Sequence, residues 1–181
     1  RNFTIYIIMY HYVREIKKSK YPNLKGLEFI DFKKQIDFFC KNFNILSKSD
    51  LIEIIHTKKI PKKPSIFLTF DDGYIDHYKY VFPYLSKKKI TASFYPSTKT
   101  IENKIILDIN KIHFILEKEQ NRKLILKEID NYLLKEKLKP LSEQNLSRIN
   151  LKHRYDDRDI VLIKHLLQFF LPEKIREKII N

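Results

Sequence analysis

Residues 65–73 have the sequence Ser-Ile-Phe-Leu-Thr-Phe-Asp-Asp-Gly, which is the clearest structural signal in this chain. An apolar run that ends in polar residues and a glycine predicts a buried strand leading into a turn. Side chains of neighbouring strand residues point to opposite faces, so Asp71 and Asp72 would ordinarily diverge. Because the backbone is expected to turn at Gly73, we expect both carboxylates to reach one cleft at the carboxyl end of the strand.

Adjacent carboxylates in one cleft repel each other, and a divalent cation would relieve that repulsion. Such a cation also activates water for hydrolysis. The alternative is structural, because Asp-Gly is a common turn signal and the pair would then lie in a solvated turn between a strand and a helix. The five residues from Thr69 to Gly73 leave both interpretations open on their own.

Strand-like segments precede and follow the motif. Residues 5–13 form an apolar run that contains Tyr10-His11, and residues 91–96 read Thr-Ala-Ser-Phe-Tyr-Pro. In this order the segments resemble the polysaccharide deacetylase family, the NodB-homology type of carbohydrate esterase. That family opens with a strand ending in Tyr-His, continues with Thr-Phe-Asp-Asp-Gly and a helix, and then has an Ala-x-Phe-Phe/Tyr strand. The resemblance covers roughly the first hundred residues, and its motif is specific only in this context.

The resemblance implies an α/β fold, a partial or distorted (β/α) barrel of the NodB-homology type with a mainly helical C-terminal half. Residues 1–98 alternate between strand-like and helix-like segments and would form the N-terminal part of the deacetylase-like domain. Residues 99–181 have helical apolar periodicity and would form an insertion or a lid. Because the chain begins with Arg1 and lacks the family's later motifs, we expect it to be a fragment followed by a missing C-terminal part.

The resemblance also assigns the site. It makes Asp71 the catalytic base and Asp72 a ligand of a divalent metal, by expectation Zn²⁺. In the family two histidines of a His-x-x-x-His motif complete the metal site, but here no two of the six histidines lie four residues apart. The metal site is therefore expected to be incomplete in this chain. His11 and Tyr74 are further candidates, as substrate-binding residues, with a half-buried structural role as the alternative for His11.

The implied function is a metal-dependent N-deacetylase that acts on an N-acetylated sugar in a glycan or glycolipid, such as a bacterial cell-surface polysaccharide. The alternative is a non-catalytic, basic module that binds glycans or nucleic acid on a degenerate deacetylase scaffold. Hydrolysis of a non-sugar amide on the same scaffold is a third possibility. The sequence does not name the sugar, the acetyl group, the metal or the oligomeric state.

The composition is that of a globular, basic chain. Hydrophobic residues make up 43%, and 36 Lys and Arg against 22 Asp and Glu give a formal net charge of +14. An anionic partner would explain that charge. Because the lysines are spread along a chain with only 2 Gly, compositional bias explains it better, and we expect no nucleic-acid partner. No signal peptide or transmembrane segment is visible, which leaves the location open between the cytoplasm and the cell envelope.

Local patterns give smaller predictions. The single Cys40 excludes an internal disulfide, and its place in an amphipathic helix predicts a core position. Asp50 and Glu53 predict a helix start. His77 is expected on a helix surface, with a position in the cleft as the alternative. An apolar stripe at helical spacing is formed by Phe32, Ile36, Phe39 and Phe43.

Overall fold

The computed structural model describes residues 4–59, 61–143, 146 and 149–181. The chain forms two compact units, Arg1–Ile105 and Ile106–Asn181. The predicted division lies between residues 98 and 99, whereas in the structure the short helix Thr98–Asn103 belongs to the first unit. The role of the second unit as an insertion or lid stays a prediction. Among the described residues, no helix has the length and apolar character needed to cross a bilayer.

The first unit is built on parallel strands. The strands are β1 (Ile5–Tyr10), β2 (Val13–Arg14), β3 (Leu27–Glu28), β4 (Asn44–Ile45), β5 (Ser65–Asp72) and β6 (Ser93–Pro96). β1 pairs with β5 along Ser65 to Phe70, while β4 pairs with the start of β5 and β6 with its end. β2 and β3 form a separate parallel pair. The carboxyl ends of β1, β5 and β6 therefore lie at one edge of the sheet, where parallel folds usually place their sites.

The helices of the first unit are α1 (Phe29–Asn42), α2 (Lys48–Thr57), α3 (Phe82–Lys87) and α4 (Thr98–Asn103), with a π-helical turn at His77–Val81 before α3. The apolar stripe predicted for α1 is confirmed. Phe32 and Ile36 are buried in the core with one face of β5, and Phe39 and Phe43 pack against it. The β5 residues of that core are Ile66, Leu68 and Phe70, which alternate as a pleated strand requires.

Two local predictions in this unit are wrong. Cys40 is exposed rather than buried, because it lies about 40° around α1 beyond Ile36, at the edge of the buried stripe and away from Phe39. Helix α2 is capped by Ser47 and not started by an Asp50–Glu53 pair. The Ser47 side chain accepts a hydrogen bond from the backbone of Asp50, and the Asp50 carboxylate accepts one from the backbone of Ser47. This is a capping box with Asp50 in its third position.

The second unit is helical, as predicted. Its helices are α5 (Asp108–Lys118), α6 (Arg122–Lys135), α7 (Arg158–His165) and α8 (Glu173–Ile180), with a 3₁₀ turn at Leu141–Glu143 and a π-helical turn at Leu166–Phe170. Ile112, Ile129, Leu133 and Ile163 lie at the centre of its own apolar core. The whole chain is thus mixed α/β with parallel strands. The barrel implied by the resemblance stays a prediction.

Candidate active site

The carboxyl end of β5 departs from a regular strand at Asp72. Asp72 has a φ of 69° and Gly73 a φ of 67°, both in the left-handed region. Asp is one of the few residues with a side chain that visits this region readily. A Cβ added at Gly73 would lie 2.6 Å from the Cβ of Pro96, so only glycine fits beside β6. The backbone conformation of the turn therefore explains the Asp-Asp-Gly sequence, in addition to any chemical role of the two carboxylates.

This geometry bears on where the two carboxylates point. Asp71 and Asp72 pair with Tyr95 and Pro96 of β6, but Asp72 already has the left-handed φ of the turn. The simple alternation of strand side chains thus no longer applies between the two residues. Both are half-exposed at the end of β5. That both open into one cleft stays a prediction.

Tyr74 lies against the second carboxylate of the motif. Its Oη donates a hydrogen bond to Oδ2 of Asp72 at 2.6 Å. Burial raises the pKa of the Tyr74 phenol, and its hydrogen bonds with Asp72 and Tyr12 raise it further. Tyr74 therefore stays protonated and can donate this hydrogen bond at every physiological pH.

The turn after β5 is attached to the segment after β1. The rings of Tyr74 and Tyr12 stack with centroids 4.2 Å apart and planes at 25°. Nε of Arg14 donates to Oδ2 of Asp76 at 2.6 Å, and the two side chains are only 19% and 6% exposed. A charge pair removed from water in this way requires good geometry from both partners, which fixes the position of the two segments.

His77 completes this attachment. It is 4% exposed, and its Nε2 donates to the backbone carbonyl of His11 at 2.7 Å. Since a carbonyl oxygen only accepts, Nε2 carries the hydrogen and Nδ1 is the bare nitrogen. Among the described residues, none forms a hydrogen bond with that Nδ1. Burial lowers the pKa of His77, and the hydrogen bond to His11 only partly opposes it, so the ring is neutral.

The predicted surface position of His77 is therefore wrong. The π-helical turn that begins at His77 changes the helical register, and the imidazole packs against the rings of Phe70, Tyr74 and Phe94. The side chain of His11 is exposed directly after β1, at the same edge of the sheet as Asp71. Its predicted role in substrate binding stays open.

An aromatic cavity of about 240 Å³ adjoins the turn. Its lining residues are Gly73, Tyr74, His77, Tyr78, Phe82, Phe94 and Pro96. Neither Asp71 nor Asp72 lines it. Gly73 and Tyr74, the two residues that follow Asp72, do line it.

The metal expected at Asp72 lacks a complete set of ligands here. Within residues 4–59, 61–143, 146 and 149–181, no three His, Cys, Asp or Glu side chains lie close enough together to hold a metal ion. A structural or catalytic zinc site ordinarily takes three or four protein ligands. The described residues therefore do not fit a complete divalent-metal site.

Sequence reasoning missed the contacts that hold the turn. Arg14 and Asp76 are 62 residues apart, and no local pattern indicates that they pair. Tyr12 directly follows Tyr10-His11, the strand-end pair on which the resemblance to the family partly depends. Three consecutive ring side chains at a strand end are the signal that could have indicated a role for Tyr12.

Comparison with known proteins shows which family the chain is similar to. The family model for polysaccharide deacetylase matches residues 58–139, which include Asp71 to Tyr74 but not His11. A search of curated proteins gave no match.

Solved structures that are similar to this chain include the following three proteins. A de-N-acetylase from Aggregatibacter actinomycetemcomitans is 24% identical, with a TM-score of 0.43, and the match covers 51% of this chain and 37% of that one. IcaB from Ammonifex degensii is 21% identical, with a TM-score of 0.41 and coverages of 51% and 40%. The Streptococcus pyogenes deacetylase PplD, in complex with acetate, is 18% identical, with a TM-score of 0.49 and coverages of 90% and 80%.

The matched part of the chain thus spans less than half the length of the first two of these proteins. The family model covers the segment that follows α2, contains β5 and ends shortly after α6. The resemblance to the polysaccharide deacetylase family is therefore confirmed over residues 58–139.

Proposed function

We propose that this chain carries the base-bearing part of an amide hydrolase that removes acetyl groups from an N-acetylated glycan. One observation carries the proposal: Asp71 and Asp72 end β5 inside the segment that matches the polysaccharide deacetylase model. The carboxyl ends of β1 and β6 meet that of β5 at the same edge, as they do in sites of parallel folds.

Asp71 is the proposed general base. Within the described part of the chain, its carboxylate has no hydrogen bond or ion pair, so both oxygens can accept a proton. In the proposed reaction Asp71 takes a proton from water as the water oxygen bonds to the acetamide carbonyl carbon. The carbon–nitrogen bond then breaks, the nitrogen takes the proton that Asp71 holds, and acetate and a free amine leave. A well-placed base contributes about a hundredfold or more to such a step.

Asp72 is the proposed metal ligand, with Zn²⁺ or a similar ion as the partner. One of its oxygens, Oδ2, is already bound by Tyr74. Since the described residues do not form a three-ligand cluster, the proposal requires further ligands from outside them. We assign no step of the reaction to the metal.

Two substitutions in the full-length gene product test this division of roles. Asp71→Asn should lower the rate of acetate release from N-acetylglucosamine oligomers by about a hundredfold or more while sparing metal affinity, because the amide cannot take the proton. Asp72→Ala should lose both, because it removes a ligand. Asp31→Asn, at an exposed carboxylate of α1, is the matched control and should change neither.

Near-normal acetate release by Asp71→Asn, or loss of metal as complete as in Asp72→Ala, would contradict the assignment. The binding-module alternative predicts a different result. In that case the wild-type protein would bind the oligomers but release no acetate. Both variants would bind the oligomers with the same affinity as the wild-type protein.

A further inference from the structure

We propose that Tyr74 is a positioning residue that fixes the carboxylate of Asp72, and not a substrate-binding residue as the sequence suggested. The structural part of this inference stands on contacts within the chain. Its consequence for catalysis rests on the function proposed above.

The hydrogen bond between the two residues is short and local. Oη of Tyr74 lies 2.6 Å from Oδ2 of Asp72, two residues away in sequence. The side chains of two residues so close in sequence can meet here because the left-handed backbone at Asp72 and Gly73 folds the chain back on itself. A hydrogen bond to a charged acceptor at this distance is among the stronger ones in proteins. It holds one carboxylate oxygen and leaves Oδ1 for another partner.

The Tyr74 ring is itself held on two sides. It stacks on Tyr12, which is 4% exposed, and meets the edge of His77 at a centroid distance of 5.7 Å and an angle of 74°. A ring fixed in this way carries its hydroxyl to one place without losing further rotational freedom. Orientation of a ligand side chain by a second group, itself locked by packing, is how metal and catalytic sites keep their geometry.

The backbone that carries Tyr74 is held as well. On its C-terminal side, Asp76 pairs with Arg14, and His77 donates to the carbonyl of His11. The turn after β5 is thus joined to the segment after β1 by a ring stack, an ion pair and a hydrogen bond. Swinging the Tyr74 hydroxyl toward a substrate would break its bond to Asp72 and its stack on Tyr12. The geometry points to a hydroxyl that serves Asp72.

The kinetic test uses Tyr74→Phe, which removes only the hydroxyl and keeps the stacked ring. In the full-length gene product, kcat for acetate release should fall about 10- to 100-fold with little change in KM, as for other residues that orient a ligand. A substrate-binding hydroxyl would instead raise KM and spare kcat. Tyr6→Phe is the matched control, because Tyr6 is near the opposite end of β1 with its ring against Phe43, and it should leave both constants unchanged.

A second readout does not depend on activity. With carbon-13 in the aspartate carboxyl groups, the Asp72 resonance is identified by its loss in Asp72→Asn. It should shift in Tyr74→Phe and stay in place in Tyr6→Phe. An unmoved Asp72 resonance, or a raised KM with unchanged kcat, would overturn the proposal. If the wild-type protein releases no acetate, the proposed function fails, while the carboxyl resonance still decides whether Tyr74 positions Asp72.

Discussion

At the scale of single residues, the turn after β5 depends on two backbone conformations that side chains rarely adopt. Asp72 and Gly73 are both left-handed, and Gly73 lies against Pro96 of β6. An aspartate in this conformation has some strain, and such strain persists only where the surroundings hold it in place. The hydrogen bond from Tyr74 and the links to the segment after β1 supply that support.

Substitutions of Gly73 should separate two contributions to the free energy of unfolding: the steric contact with Pro96 and the left-handed φ. Gly73→Ala should lower the free energy of unfolding in urea by about 1–3 kcal/mol, since its Cβ would lie 2.6 Å from that of Pro96 and its φ is unfavourable. Gly73→Asn separates the two causes, because asparagine tolerates a left-handed φ but still has a Cβ. We expect it to be destabilised too. Wild-type stability for Gly73→Asn would mean that contact with Pro96 costs nothing.

His77 should make stability depend on pH. Burial lowers the pKa of His77 in the folded chain below its ordinary value of about 6.5, so in that range the unfolded chain binds more protons. The neutral ring is thus stabilising above that ordinary pKa, and this contribution is lost as the pH falls toward the lowered value. Urea unfolding at a series of pH values should show the decline, and His77→Gln should reduce it. His165→Gln is the control. An equal decline in the wild-type protein and in His77→Gln would contradict this account.

At the scale of elements, lysines occupy the positions after helices where glycine is usual. Lys58, Lys89, Lys104 and Lys137 have φ values between 52° and 58°, and each follows the end of a helix. A left-handed residue at this place closes many helices, and glycine is preferred there because it has no Cβ. This chain has only 2 glycines, so its low glycine content is visible in its helix ends.

Substituting these lysines should therefore stabilise the chain. Lys58→Gly and Lys137→Gly should each raise the free energy of unfolding by about 0.5–1 kcal/mol, through relief of the left-handed strain. Lys127→Gly is the matched control, because it removes the same exposed charge from the interior of α6 and should lower the free energy of unfolding by about 1 kcal/mol. The same sign at Lys127 and Lys137 would show that charge, not backbone conformation, decides the result.

Both π-helical turns occur shortly before a proline. The turn at His77–Val81 precedes Pro83, and the turn at Leu166–Phe170 precedes Pro172. Proline lacks an N–H and its ring collides with the carbonyl four residues earlier, which favours a wider turn. The widened bonds run from Phe82 to the carbonyl of His77 and from Leu171 to that of Leu166.

Because a π-helical turn changes the helical register, hydrophobic periodicity predicts the helices but not the face on which His77 lies. It predicted β5 and the α1 stripe because an apolar strand and a 3.6-residue repeat are local patterns. It missed the capping role of Ser47, since Asp50 carried a similar signal three residues later. The Arg14–Asp76 pair had no local signal at all, because it depends on β1 and β5 being neighbours in the sheet.

At the scale of the whole molecule, the sequence predicted a change from alternating to helical structure, and the two units reflect it. The compact units divide after Ile105, because α4 is helical yet belongs to the first unit, whose strands end at Pro96. Each unit has a core of its own. The candidate site was predictable as a motif, since Asp71 and Asp72 end an apolar strand. Its support from Tyr12 and Arg14 required the tertiary structure.

Zinc binding is the property of the whole chain that bears most directly on function. Residues 1–181 alone should bind Zn²⁺ weakly in calorimetry, because the described residues provide Asp72 but no cluster of three ligands. Cys40 is exposed and can bind zinc adventitiously, so the titration is made on Cys40→Ser. Asp72→Ala in the same background is the comparison, and it should give the same weak heat. Tight binding of one zinc ion that disappears in Asp72→Ala would contradict the prediction, since Asp72 would then share a complete site with residues of this chain. The exposed His11 and the buried His77, at the same edge of the sheet, would be the first histidines to replace.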